Sequence, residues 1–569
     1  MGVARPLPPI QSKPDRSSPA MEVASPLLPV QSKPDRSATA MEVARSLPPI
    51  QSKPDRSPPA MEVASSPSPL PLPSKPDRSA PAMKVASSPL RVPSKPQRSA
   101  PGMEVASSPS PVPVPSKPDR PAPAIEVQVL SSKLVRPAAS TDAAVDAGLE
   151  YVPLSVFDRV TYQIQMAIIY VFAPPSPSTA ALEKGLAAAL ARYRGFAGQL
   201  GEAPGGGPAV LLNDHGARVV EACVDADLVD VAPPMPKPEL LLLHPNLEEG
   251  MDEVVVLQLT RFRCGSLAVG FTSNHAVTDG RGTSNFLVAW GRATRGVDMG
   301  LPPVYNHDEL FKSRSVPRVE FDHRNREYYM PVPPLPTKVG SDADGKIKKN
   351  IVIHKAHFTK DWIARLRASA SEGRGRPFSR FQSILAHLWR ATTRARGLRH
   401  NETSKIRLSV DGRDRLGVPA EYAGNLVLWA FPQATAGDLL NRPLKYAAQT
   451  IHDEVARVAD AEYFRSFVDF TSSGVIEEEG LAPSAALNLR EVLCPDLEVH
   501  SWLTFPFYDL DFGTGTPSYI MPSYFPFEGL IFLMPSYIGD GSVDAFVPVF
   551  QHNLEAFKQC VYSIDDLHA

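Results

Sequence analysis

"FTSNHAVTDGRG", residues 271–282, carries an apolar run into a histidine, with an aspartate four places on and two glycines close behind. Together with the preceding "SLAVG" the run reads as a buried strand, by its length and its apolar, β-branched content. Phe286, Leu287, Trp290 and Ala293 then recur at helical spacing, so His275 lies where a strand gives way to a turn and the turn to a helix. Asn274, Gly280 and Gly282 mark tight turning of the backbone around the ring. Strand ends and the loops after them are where α/β proteins place their chemistry.

The segments on either side of this stretch alternate between the two periodicities. "EVVVLQLTRF" and "SLAVGFTS" read as a hairpin turning at Cys264 and Gly265, and "MAIIYVF" (166–172) as another buried strand. Leu182, Leu186, Leu190 and Tyr193 predict a helix that stops at Gly195. "AVLLNDHGARVVEA" (209–222) reads as two strands around a turn at Asp214, His215 and Gly216. Residues 301–350 are rich in Pro, Asp and Lys and read as a long crossover loop. In the following half, Ser379 and Gln382 form a capping pair ahead of a helix that ends at Gly397. The expected organisation is an N-terminal domain over 125–300, the crossover, and a C-terminal domain over 351–569, all of mixed α/β character.

The first 124 residues are different. "SKPDR" occurs at 12–16, 32–36, 52–56, 74–78 and 116–120, with "MEVA" or "MKVA" starting at Met21, Met41, Met61, Met83 and Met103. These units are too rich in Pro and Ser to bury a face, so disorder with polyproline II tendency is expected. Residues 125–136, "IEVQVLSSKLVR", look like a diverged copy of the unit in which Ile125, Val127 and Val129 alternate as a half-buried strand requires. On this reading the tail arose by duplication of the segment that opens the folded domain, and takes no part in the chemistry.

Composition narrows the function classes. A formal net charge of −2 with no long basic or acidic run gives nucleic acid no footing. Four scattered cysteines without a CxxC pair argue against a zinc module or disulfide framework and suit a reducing cytosol. No apolar stretch has the length of a membrane span, and the N-terminus lacks a signal-peptide core. Among the 13 histidines most are ordinary: His387 sits mid-way along an apolar helix and reads as packed core, while His354 and His357 lie near a strand without an obvious partner. A metal reading of His275 and Asp279 lacks a third and fourth ligand at suitable spacing.

"HAVTDG" matches HxxxDG; "DFGTG" follows at Asp511–Gly515, and "SVDGRDRLGVPAEYAGN" (409–425) lies between them. In this order the three resemble the signatures of the BAHD acyl-CoA-dependent acyltransferases. Within that family the chain is similar to the grass agmatine coumaroyltransferase and tryptamine or tyramine hydroxycinnamoyltransferase type, with the likeness running from 125 to about 565. The resemblance implies two chloramphenicol-acetyltransferase-like domains and a cytoplasmic monomer that uses no cofactor, acyl-CoA being a substrate. It further implies direct transfer of a hydroxycinnamoyl group from CoA to a small amine, with His275 as the base. It casts Asp279 and Gly280 as support of the His275 loop. Asp511 is placed with the catalytic residues or as a structural ion-pair partner, with Gly513 in its turn and Arg413 as the candidate cation. The family's DFGWG tryptophan is Thr514 here. An alcohol O-acyltransferase, and a non-enzymatic interaction protein carrying a decayed acyltransferase domain, remain as alternatives at this point. Deleting residues 1–120 is expected to leave kcat unchanged in a steady-state assay of the truncated protein.

Overall fold

The computed structural model describes residues 125–138, 150–245, 251–331, 350–484 and 491–564. The repeats therefore lie outside the described residues, as does part of the expected crossover.

Two mixed sheets flanked by helices organise the described chain. The first has six strands in the order Gln128–Val135, Ala217–Val224, Val255–Phe262, Leu267–Asn274, Gln165–Phe172 and Tyr519–Pro522. The second has seven: Ile351–Phe358, Val543–Phe550, Leu530–Pro535, Leu497–Ser501, Thr403–Asp411 and Val427–Ala430, with Gln433–Thr435 pairing the other end of 403–411. Strand Leu267–Asn274 is buried on both faces along nearly its whole length, which is why its sequence does not alternate apolar with polar. The expected hairpin forms, with Gly265 at φ +83° closing the turn.

The helices pack as their caps and small residues allow. Ser178 caps helix Thr179–Arg192, and the Ser379–Gln382 capping box opens helix Arg380–Ala395, which Gly397 ends in the left-handed region. Helices Thr179–Arg192 and Gly280–Thr294 lie against each other: Trp290 Nε1 donates to the Leu182 carbonyl at 2.9 Å, and a Cβ on Gly185 would meet Thr294. The two cores exchange residues. Phe157 and Val160, from early in the chain, pack with the second sheet's core, while Trp502, Phe507, Leu510 and Phe512 join the first. Strand 519–522 likewise completes the first sheet from beyond residue 351.

Four local expectations need correction. The segment 209–222 does form two strands, but they do not pair. Pro208–Leu211 joins a small sheet with Tyr151–Pro153 and Gln199–Glu202, while Ala217–Val224 joins the first large sheet. The guanidinium of Arg194, forked onto Asp214 and the Leu212 carbonyl, holds the connection away from a hairpin path. The helix expected to run to Gly195 ends at Arg192 and tightens into a 3-10 turn over Arg194–Ala197. The opening strand starts later than its alternation implied: Val129 is 60% exposed, and a bulge between Val129 and Ser131 resets the register. His357 does have a partner, its Nδ1 lying 2.7 Å from Asp544 Oδ1 on the neighbouring strand. His387 is packed as read, with its Nε2 at 2.7 Å from the Val561 carbonyl and burial pushing its pKa down to about 4.

Candidate active site between the two sheets

A cavity of about 360 Å³ opens between the sheets, and His275 lines it. The first sheet contributes Met166, Ile168 and Ser273 to its walls; the second contributes Leu408, Asp411, Val427, Val499 and His500. Phe381, Trp502, Phe505 and Phe507 make much of the remainder apolar.

His275 is the residue at which strand 267–274 ends. Its backbone N–H donates to the Ile164 carbonyl at 2.9 Å, and its carbonyl accepts from Asn425 Nδ2 at 2.8 Å. Asn425 is in turn fixed by Asp158, whose Oδ1 accepts from both its backbone and its side-chain nitrogen at 2.8 Å. Asp158 also closes a capping box with Ser155. The chain at the histidine is thus clamped through two buried side chains. The ring itself is not: Nδ1 is buried and meets no hydrogen-bond partner among the described residues. Burial pushes the imidazole's pKa below its ordinary value, and the weaker pull of its own backbone and of Asp279 does not restore it.

The hydrogen bonds of Asp279 go to a helix N-terminus and to Arg413 rather than to His275. Asp279 caps helix Gly280–Thr294, accepting from the N–H groups of Arg281 and Gly282 at 3.0 Å each. Its carboxylate also takes a bidentate pair from Arg413, at 2.8 and 3.0 Å, and the Leu426 N–H at 3.1 Å. Burial raises the Asp279 pKa, but Arg413 and these amides outweigh it and hold the carboxyl below its ordinary range. Nη2 of Arg413 also donates to the carbonyls of Tyr422 and Gly424, at 3.0 and 2.9 Å. Gly280 and Gly282 are glycines for want of room: a Cβ would lie 2.4 Å from the Phe505 ring at the first and 2.4 Å from the Ala423 carbonyl at the second.

The ion pair expected between Asp511 and Arg413 is not formed. Arg413 is committed to Asp279, and Asp511 pairs with Arg295 at 3.1 Å. Asp511 lies outside the lining of the cavity; its other oxygen accepts from the N–H groups of Gly513 and Gly515 at 2.7 and 3.1 Å. Gly513, at φ +100°, makes this turn possible. Next to Asp511, Phe512 meets Trp290 edge-on at 4.6 Å, so the turn braces the outer side of the helix that Asp279 caps. Thr514 is exposed on this turn.

Sequence reading passed over a second polar group in the cavity wall. Glu498 and His500, two apart on strand Leu497–Ser501, share a face, and His500 Nε2 lies 3.2 Å from Glu498 Oε1. Arg407 donates to the same oxygen at 3.0 Å and is held between the rings of Tyr162 and Trp429. Burial raises the Glu498 pKa, yet Arg407 and His500 bring it down to about 2. The E-x-H spacing was the available signal. Among the described residues no group of three or more His, Cys, Asp or Glu side chains converges as a metal site would require.

Residues 125–564 match the transferase family. The chain is 71% identical to putrescine hydroxycinnamoyltransferase 3 of Oryza sativa subsp. japonica, covering 77% of this chain and 100% of that protein. It is 46% identical to agmatine coumaroyltransferase-1 of Hordeum vulgare, again over 77% of this chain and 100% of the relative. The crystal structure of vinorine synthase superposes with a TM-score of 0.56 at 21% identity, covering 76% of this chain and 96% of that one, a likeness of fold.

Removing Asp279 takes the bidentate partner from the guanidinium of Arg413, whose side chain is 3% exposed, and leaves it only the longer contact to the more exposed Asp411. Asp279→Ala is therefore expected to lower stability by about 3–5 kcal/mol in urea denaturation. Asp511→Ala, where the carboxylate is 25% exposed and partly screened, is expected to cost about 1 kcal/mol. Because the Asp279 carboxyl titrates lower when folded than when unfolded, its contribution is complete above about pH 5 and fades as pH falls through the folded value.

Proposed function

The chain belongs to the transferase family, the BAHD acyltransferases, and from that premise we propose that it transfers a hydroxycinnamoyl group, such as p-coumaroyl or feruloyl, from coenzyme A to a small amine, making a phenolamide. Putrescine and agmatine, after which similar relatives are named, are the acceptors proposed first. Tryptamine and tyramine belong to the same class. The observation that carries the mechanism is His275, its pKa lowered by burial, on the wall of a cavity both sheets line.

An alkylamine has a pKa near that of lysine, so only about one molecule in a thousand is neutral at pH 7. As the amine nitrogen attacks the thioester carbonyl carbon, His275 takes its proton. The tetrahedral intermediate then collapses with cleavage of the C–S bond, and the imidazolium returns the proton to the departing CoA sulfur. No enzyme-bound acyl group is needed. Such a base contributes about 10²–10⁴-fold, with the remainder coming from holding donor and acceptor together. Asp279, Gly280 and Arg413 act as positioning residues for the histidine turn, and Asp511 with Gly513 as a brace on the helix behind it. The two halves, 125–300 and 351–569, are proposed as the domains that supply the two walls. Acyl-CoA serves as a substrate rather than a resident cofactor. No helix among the described residues is long and apolar enough to cross a membrane.

CoA release from p-coumaroyl-CoA, followed across pH with a panel of amines and alcohols, tests this reading. With a sub-saturating amine, the histidine limb is expected below pH 6.5, because burial lowers the His275 pKa. A second rise then continues toward about pH 9 as neutral amine accumulates. An alcohol acceptor gives no second rise. A profile that levels off above about pH 7.5 with every amine, while alcohols are acylated, moves the assignment to ester formation; release of no CoA with any acceptor moves it to a non-enzymatic role.

A further inference from the structure

The cavity's charged groups mostly cancel. Asp279 is answered by Arg413, and Glu498, just behind His500, by Arg407. Asp411 is the exception. It lines the cavity and its side chain is 42% exposed there, at the end of strand Thr403–Asp411. Its Oδ1 accepts from the backbone N–H of Arg413 at 3.0 Å and from Nη1 at 3.2 Å. That guanidinium, however, already forms the bidentate pair with Asp279, so one cation faces two carboxylates. The remaining cation of the lining, Arg281, lies over the Phe505 ring, 5.8 Å from its centroid.

We infer that Asp411 anchors the far, protonated end of the acceptor: a diamine or guanidino-amine rests its second cation on this carboxylate while its near nitrogen loses a proton to His275. This rests on the amine reading above. An acceptor of this class enters with two cationic groups, of which only the reacting one must become neutral. The other stays charged inside a largely apolar cavity, where a cation without a counter-charge is strongly disfavoured. Val427, Phe381 and Phe505 offer apolar surface for the methylenes between the two ends. A site that fixes the second cation discriminates against amines that lack it, because its own carboxylate is then left unpaired.

Asp411→Asn keeps the oxygen that holds the Arg413 N–H and removes the charge. The experiment compares kcat/KM for putrescine with that for n-butylamine, which has the same carbon chain and no second cation. The putrescine-to-butylamine ratio is expected to fall at least about tenfold in Asp411→Asn, mainly through KM for putrescine, and to persist in Asp411→Glu. A ratio unchanged in an active Asp411→Asn enzyme overturns the inference and leaves Asp411 as support for Arg413. A fall in Glu498→Gln but not in Asp411→Asn also overturns it, by moving the anchor behind His500. Should Asp411→Asn fail to fold, the wild-type enzyme gives the same readout: added salt is expected to raise KM for putrescine more than for butylamine, and an equal response contradicts the anchor. Acylation of alcohols but of neither amine by the wild type defeats the amine reading itself, and this inference with it.

Discussion

A single buried ion pair fixes the turn that carries the proposed catalytic histidine. Asp279 and Arg413 come from opposite sides of the cavity, and each completes hydrogen bonds that the other side leaves open. The aspartate caps a helix in the first half and reaches the Leu426 N–H in the second; the arginine holds the carbonyls of Tyr422 and Gly424 as well as the aspartate. Burial of two charges is favourable only when almost every donor and acceptor is used, and here the Nε of Arg413 is the buried group of the pair that meets no partner among the described residues. The pair fixes the 275–282 turn against the 411–426 segment, and with it the gap between the sheets.

The same joint separates position from reactivity at His275. Its backbone is fixed through Asn425 and Asp158, while its ring is left without a carboxylate to orient it. A carboxylate hydrogen-bonded to the ring would stabilise the imidazolium and raise its pKa; here burial outweighs the weaker raising influences, Asp279 among them, and lowers it. That suits the proposed role of a base toward a cationic amine, since a lowered pKa favours the neutral ring as free amine begins to accumulate. The network of Arg407, Glu498 and His500 on the facing wall follows the opposite plan, with every charge matched.

Much of this was legible in the sequence, and what was not shares one cause. The strand, turn and helix around His275, the hairpin at Gly265 and the capping box at Ser379 are local: periodicity and turn chemistry within about fifteen residues specify them. Choosing between Asp279 and Asp511 as the partner of Arg413 is not local, because both aspartates sit in turns beside glycines and only the packed structure brings one to the arginine. The failed hairpin at 209–222 has the same origin, a side chain from elsewhere overriding adjacency. Strand 519–522 is four residues long and ends in proline, so nothing in its own sequence says that it completes the first sheet. His500 was missed because a histidine in a strand reads as packing until its neighbour two places back is counted with it.

In the proposed transfer the clamped turn presents His275 as the proton acceptor while other residues carry the fold. The direct test is the rate of acyl transfer by His275→Ala at saturating p-coumaroyl-CoA and putrescine, measured beside its melting temperature and its affinity for acyl-CoA. The rate is predicted to fall by about 10²–10⁴-fold with stability and acyl-CoA binding close to those of the wild type. Turnover near the wild-type level in His275→Ala would contradict it.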